Sequence, residues 1–238
     1  MSESATIEKV VIGDATLYRA DCMDVLPTLM PVPNIAIVTD PPCGIVGQDG
    51  KVQMRGDVIV SPDYGDWDLI WNPEWFHGLP GNASIIFHDQ KMSTALVEEM
   101  EKDNWRLKRF IFWDKGDGGL NPRRNFVNAV EVCCFFTKGQ YIWNGGASTT
   151  NIFRLQRRPT PNHPTEKPIK LITELCRLIS DKGDTILDPF MGSGTCGVAA
   201  LKLGRKFIGV EIEKKYFDIA VERISKENNQ LKMFQGDK

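Results

Sequence analysis

Short apolar runs rich in β-branched residues recur along the chain, separated by polar, glycine- or proline-marked breaks. They predict strands over 7–12, 16–20, 35–39, 84–88, 109–113, 130–137, 185–188 and 206–211. Apolar positions at helical spacing predict helices over 91–103, 168–180, 195–203 and 215–228. The helix over 168–180 opens on Pro168, a residue suited to a first turn, and keeps Ile169, Ile172, Leu175, Cys176 and Ile179 on one face. Buried-looking strands that alternate with helices predict an α/β fold with a doubly wound, mostly parallel sheet. Two stretches break the rhythm. Residues 44–76 and 139–166 are rich in Gly, Pro and Asn and read as long loop insertions, which in a compact domain usually carry function or move.

Composition narrows the class. The 238 residues, 42% hydrophobic and 25% charged, suit one globular domain spanning 1–238. No apolar run approaches the ~20 residues that span a bilayer, so no membrane partner is expected. The start, MSESATIEKVV, lacks the basic and apolar regions of a signal peptide, which predicts a cytoplasmic location. The six cysteines contain no C-x-x-C pair and the three histidines are scattered, so buried reduced thiols and no metal are expected. A net charge of −2 argues against an indiscriminate polyanion binder but leaves room for a local basic face.

The segment "GDTILDPFMGSGTCGVAALKLGRKFIGVEIEKKYFDIAVERI" reads as a complete β-α-β unit. Asp188-Pro189-Phe190-Met191-Gly192-Ser193-Gly194-Thr195 forms its tight turn, and Glu211 ends its second strand. Gly192 and Gly194 let backbone approach a ligand at a helix N-terminus, and Glu211 stands where an acid meets ribose hydroxyls in dinucleotide folds. The turn is not G-x-G-x-x-G, and Asp188 directly before it would repel a pyrophosphate. A phosphate-free adenosine ligand such as S-adenosylmethionine suits it; the plainer alternative is a turn that only joins strand to helix. A second stretch, "VTDPPCGI", ends an apolar strand by holding Asp40 against Pro41 and Pro42, a stiff, non-helical exit.

"TDPPCG" followed by "NHPTEKPIKL" and "LDPFMGSGT" resembles the β-type amino-methylating DNA methyltransferases, in which the catalytic segment precedes the cofactor segment. The resemblance runs from "ATLYRADCMDVLPTL" to "YFDIAVERI", with "NASIIFHDQKM", "RLKRFIFWDKGDG" and "FVNAVEVCCFFTKG" in order between them. It implies the Rossmann-like sheet of S-adenosylmethionine-dependent methyltransferases. It also implies that Asp188, Phe190, Gly192, Ser193, Gly194, Thr195 and Glu211 cradle S-adenosylmethionine, with Thr165 and Lys167 at its methionine end. Asp21 either closes the adenine side or is an exposed acid that starts a helix. His163 reads as turn structure.

The catalytic segment implied is Asp40, Pro41, Pro42 and Cys43. An exocyclic amine is a poor nucleophile because its lone pair is delocalised into the base. The Asp40 carboxylate and the Pro41 carbonyl are acceptors able to pull its N–H groups and localise that pair. The base must leave the duplex to reach them. In most relatives an aromatic residue follows the two prolines, and here it is Cys43. Phe87, Trp67, Trp71 or Trp113 substitutes for the lost stack, or the enzyme is slow, or the chain binds without methylating.

DNA is the partner implied. The 139–162 stretch is a short target-recognition insertion carrying Trp143, Arg154, Arg157 and Arg158, and Arg123 and Arg124 add phosphate contacts; the alternative is a solvated loop. So small a region implies a short target, or help from the mobile loop 44–76 or from a second subunit in a homodimer. Asp before the prolines leans toward adenine N6 over cytosine N4, as cytosine enzymes of the family more often carry serine there. Methylation of RNA or protein, a non-catalytic binder and a nicotinamide oxidoreductase are the rivals. The compact size suits a stand-alone, restriction-associated or phage-borne enzyme.

Overall fold

In a computed structural model, residues 7–29, 32, 34–42, 72–116, 129–156 and 166–235 are described. The strands are β1 (Glu8–Ile12), β2 (Ala15–Arg19), β3 (Ile35–Thr39), β4 (Ala83–His88), β5 (Arg106–Asp114), β6 (Val130–Thr137), β7 (Ile152–Arg154), β8 (Thr185–Asp188) and β9 (Lys206–Glu211). The α-helices are α1 (Cys22–Val25), α2 (Ser93–Lys102), α3 (Ile169–Ile179), α4 (Thr195–Lys202) and α5 (Lys214–Gln235). One sheet holds the strands in the order β1-β2-β9-β8-β3-β4-β6-β5-β7. Strands β2, β9, β8, β3 and β4 run parallel, β6 runs against both of its neighbours, and β1 runs against β2.

All five residues of β3 are buried because both faces of the sheet are covered. Ala36 and Val38 meet α3, α4 and α5 on one face, whereas Ile35 and Ile37 meet α1, α2 and the 3₁₀ turn Pro73–Phe76 on the other. In β6 the same alternation sends Cys133 and Phe135 to the first layer and Cys134 and Phe136 to the second. Five of the cysteines are free and buried, as their apolar settings predict. Among the described residues no helix is long and apolar enough to cross a membrane.

The predicted elements all form, with shifted ends. β5 starts at Arg106 rather than 109, because the strand continues past its apolar centre by pairing with β6. The stretch 139–166 contains a strand that its composition hides: β7 is three residues long and is made by its pairing to β5. The one-turn helix α1 is equally too short to leave a periodic signal.

From β3 the chain proceeds to β4 on one side, and from β8 through α4 to β9 on the other. The crevice between the carboxyl ends of β3 and β8 is therefore the topological switch point, where open α/β sheets bind ligands. Gly194 opens α4 at φ +79°, and a Cβ there would lie 2.9 Å from the Ala220 Cβ and 3.1 Å from its Cα on α5. Gly194→Ala is expected to destabilise the fold by about 1–3 kcal/mol through strain and overpacking. That corresponds to a melting temperature lower by roughly 2–10 °C for a domain of this size. An unchanged melting temperature would mean that α5 gives way freely.

Candidate active site

A cavity of about 1090 Å³ opens at the carboxyl ends of β3, β4, β8 and β9. Asp40, Pro41 and Pro42 enter it from the end of β3, Asp188 and the glycine turn from β8, and Glu211 from the end of β9. The two segments singled out in the sequence share one cavity.

On one side, the buried Asp188 Oδ1 accepts from Thr39 Oγ1 at 2.7 Å and from the Phe190 N–H at 3.1 Å. Glu211 Oε2 accepts from the Gly192 N–H at 2.9 Å, and its Oε1 from the Glu213 N–H at 2.8 Å. Burial pushes Asp188 up to about 7 even though the Thr39 and Phe190 donors pull it down. Burial likewise pushes Glu211 up to about 7 against its backbone N–H partners. The Phe190 ring leans on Trp75, with centroids 4.9 Å apart. From α5, Arg223 donates to the Ser193 carbonyl and hydroxyl, both at 2.7 Å, and also reaches Glu166, which accepts from Thr195 Oγ1 at 3.2 Å. Carboxylates outnumber ammonium groups in the cavity lining. That excess of negative acceptors fits a ligand carrying positive charge and no phosphate.

On the other side, Lys167 Nζ donates to Asp40 Oδ2 and lies 3.2 Å from Glu131 Oε2 and 5.1 Å from the centroid of the Phe87 ring. Lys115 Nζ reaches the other Glu131 oxygen at 3.4 Å. Burial pushes the Asp40 carboxyl above its ordinary value, with Lys167 pulling the opposite way. For Lys167 burial favours the neutral amine, but Asp40 and Glu131 outweigh it and hold the ammonium. Glu131 is half-buried, and Lys167 and Lys115 keep it below the usual range. His88 lines the same wall, hydrogen-bonded with Ser93 Oγ at 2.8 Å, and burial lowers its pKa so that it stays neutral.

Lys167, expected at the methionine end of the cofactor, lines the cavity and pairs with Asp40 and Glu131 at the end of β3. Trp113 is no substitute for the missing aromatic: it is packed in the core and its Nε1 donates to the Leu155 carbonyl at 2.7 Å. Trp143 is exposed but remote from the cavity. It stacks on Phe135, while its neighbour Asn144 binds the carbonyls of Arg177 and Ser180 at the end of α3, the far end of the sheet from Asp40. Arg154, by contrast, ends β7 at the cavity end of the sheet, beside Asp114 at 3.5 Å. Asp21 caps α1 through the Met23 N–H and also lines the cavity. Cys43, Trp67, Trp71, Arg123, Arg124, Arg157, Arg158, His163 and Thr165 lie outside the described residues.

Glu131, Glu166, Arg223 and Trp75 escaped the sequence reading. Glu131 left one signal, a charge inside the apolar run "VEVCCFF", and Glu166 stands beside Lys167 in "HPTEKP". Arg223 looks like any charge on an amphipathic helix until α5 is seen against the turn.

The sequence profile of the DNA methylase family matches residues 36–222. The chain is 30% identical over 244 residues to the Type II methyltransferase M2.LlaDCHI of Lactococcus lactis subsp. cremoris, with 90% of each chain covered. It is 27% identical over 248 residues to the Type II methyltransferase M2.DpnII of Streptococcus pneumoniae, covering 89% of this chain and 90% of the relative. Among solved structures, the M1.HpyAVI–SAM complex superposes with a TM-score of 0.69 at 25% identity, over 88% of this chain and 99% of that one. The cytosine-N4-specific PvuII DNA methyltransferase shares the fold, with a TM-score of 0.67 at 16% identity over 93% of both chains. With its two signature segments joined in one acid-lined cavity, the chain belongs to the N6/N4 DNA methylase family and is an S-adenosylmethionine-dependent DNA amino-methyltransferase.

Proposed function

We propose that this chain methylates N6 of adenine in DNA, with Asp40 and the Pro41 carbonyl as acceptors for the amine of a base turned out of the duplex. The observation that carries the reading is the placement of Asp40 in the same cavity as the Asp188–Glu211 turn, so that acceptor and cofactor cradle face one space. Asp40 in place of serine supports adenine, by the family pattern described above.

In this reading the turn from Asp188 to Thr195 and Glu211 hold S-adenosylmethionine, with Glu211 toward the ribose hydroxyls and Phe190, backed by Trp75, against the adenine ring. The bound cofactor supplies an electrophilic methyl group on a positively charged sulfur. Asp40 and Pro41 accept the two amine protons as hydrogen bonds and concentrate the nitrogen lone pair. Transfer of the methyl group would break its bond to sulfur, leave a neutral thioether and make the amine cationic, and the Asp40 carboxylate would stabilise that charge. The surplus proton then passes to Asp40, whose burial-raised affinity suits it to take the proton and return it to solvent. Trp75 lines the cavity beside Phe190 and gives it aromatic surface, whereas the Phe87 ring is buried beneath Lys167. Arg154, with a side chain 79% exposed at the cavity end of the sheet, is placed to meet a phosphate.

The test is methylation of unmodified DNA, digested to nucleosides for mass spectrometry. N6-methyladenine is expected from the native protein. Asp40→Ala is expected to lower kcat by at least about 10²–10³-fold, the typical loss for one preorganised electrostatic partner. N4-methylcytosine would overturn the choice of base, and a fully active Asp40→Ala would overturn the mechanism.

Acidification gives a second prediction. The Asp40 carboxyl must be ionised to stabilise the cationic amine and take its proton, and burial raises its pKa. A profile of kcat against pH should therefore fall on the acid side, at a midpoint above that of a free aspartate. Cofactor affinity has its own dependence. Asp188 and Glu211 both titrate near 7, and their ionised forms suit the cofactor's positive charge and hydroxyls. The Kd for S-adenosylmethionine, read by calorimetry, should tighten as pH rises from about 6 to 8. Glu211→Gln should weaken binding and flatten the curve.

A further inference from the structure

We propose that Glu131 is a positioning residue for methyl transfer: it holds the Lys167 ammonium in place and, through Lys167, fixes the Asp40 carboxylate. The proposal rests on Asp40 being the acceptor for the amine.

The geometry behind it is a chain of alternating charges, Asp40–Lys167–Glu131–Lys115, that runs from the end of β3 to the end of β5. A lysine ammonium on a four-carbon stem that touches one carboxylate is free to swing around it. Lys167 touches two, Asp40 and Glu131, and its ammonium also lies over the Phe87 ring. Glu131 in turn is anchored on its second oxygen by Lys115, so each of its oxygens has an ammonium partner. Register explains why Glu131 reaches so far into the site. It is the second residue of β6, opposite Trp113 on β5, and β6 lies next to β4, whose last residue is His88. The side chain therefore emerges at the rim of the sheet where Asp40 stands.

A carboxylate there needs a reason, since Lys115 alone would satisfy a strand-end ion pair. The bridge to Lys167 supplies one. Asp40 needs one oxygen occupied so that its carboxyl plane is held while the amine approaches. Among the described residues Lys167 is the hydrogen-bond partner of Asp40, and it binds Oδ2. Misplacing a reacting group by about 1 Å costs on the order of 10²-fold in rate. Loss of the second anchor of Lys167 should thus appear in kcat and leave cofactor binding intact.

The groups that face Asp40 set the direction of a pH test. They are Lys167 before α3, Glu131 on β6, His88 on β4, which is neutral, and Asp188 on β8. Glu131→Gln removes a negative charge that favours protonated Asp40, and it leaves Lys167 to Asp40 alone. Both changes ease ionisation of Asp40, so the acid limb of the kcat profile should move to lower pH. Lys115→Gln leaves the charge of Glu131 unshared and should move the limb the opposite way.

The experiment compares native protein, Glu131→Gln, Lys115→Gln and Asp40→Ala in kcat, in KM for S-adenosylmethionine and in the pH profile. Glu131→Gln is expected to lower kcat about 10–100-fold with KM nearly unchanged and the acid limb shifted downward. Native kcat with an unmoved limb in Glu131→Gln would overturn the proposal, as would a loss confined to melting temperature. If Glu131→Gln fails to fold, Lys115→Gln decides: an unmoved limb overturns the proposal and an upward shift supports it. The Asp40→Ala arm separates the two readings. Its inactivity beside an unaffected Glu131→Gln sinks only the positioning role, whereas its full activity sinks the assignment of Asp40 on which that role rests.

Discussion

The arrangement of the active site depends on one buried hydrogen bond, from Thr39 Oγ1 to Asp188 Oδ1 at 2.7 Å, across 149 residues of sequence. It joins the carboxyl ends of two parallel strands that the chain leaves in opposite directions. Both groups are buried, and a buried hydroxyl left without its partner costs about 1–3 kcal/mol, so the pairing favours a single register of β3 against β8. That register places Asp40, the next residue after Thr39, above the same crevice as the glycine turn that follows Asp188. A slip by one residue would send Thr39 to the other face of the sheet and dissolve the site.

Around this bond the cavity uses carboxylates in two ways. Asp188 and Glu211 are pushed up by burial to about 7 and hold backbone N–H groups, with no ammonium group against them among the described residues. They stand ready for a ligand that brings its own positive charge. Asp40 and Glu131 share Lys167 and are part of a nearly neutral string of charges. The first pair suits binding and the second suits holding one oxygen still while an amine turns cationic beside it. The same residue type serves both ends because local partners, not the carboxyl group itself, set its ionisation.

The segment 166–168 couples the two halves. Glu166 is tied to Thr195 and to Arg223, which also clamps Ser193, while the adjacent Lys167 is tied to Asp40. Neighbouring residues thus fasten the cofactor turn and the acceptor carboxylate to one short stretch leading into α3. Preorganisation of this kind keeps reacting groups in place at no further entropic cost during the reaction.

Periodicity alone located nearly every strand and helix, because burial on both faces of a parallel sheet leaves continuous apolar runs and the helices leave a one-sided stripe. The turn "DPFMGSGT" and the stiff "TDPP" exit were also legible, since each writes its backbone requirement into adjacent residues. What remained hidden were the interactions that span the chain. Nothing near Lys167 in sequence announces that its ammonium turns to Asp40 and Glu131, and nothing near Trp143 tells that it sits at the far end of the sheet. Arg223 reads as one more helical surface charge, and β7 exists only because β5 offers an edge to pair with. Local sequence determines local geometry and the kind of chemistry a segment can carry. Which side chains meet across the sheet is decided by strand order and register, and these are set by the packing of the whole chain.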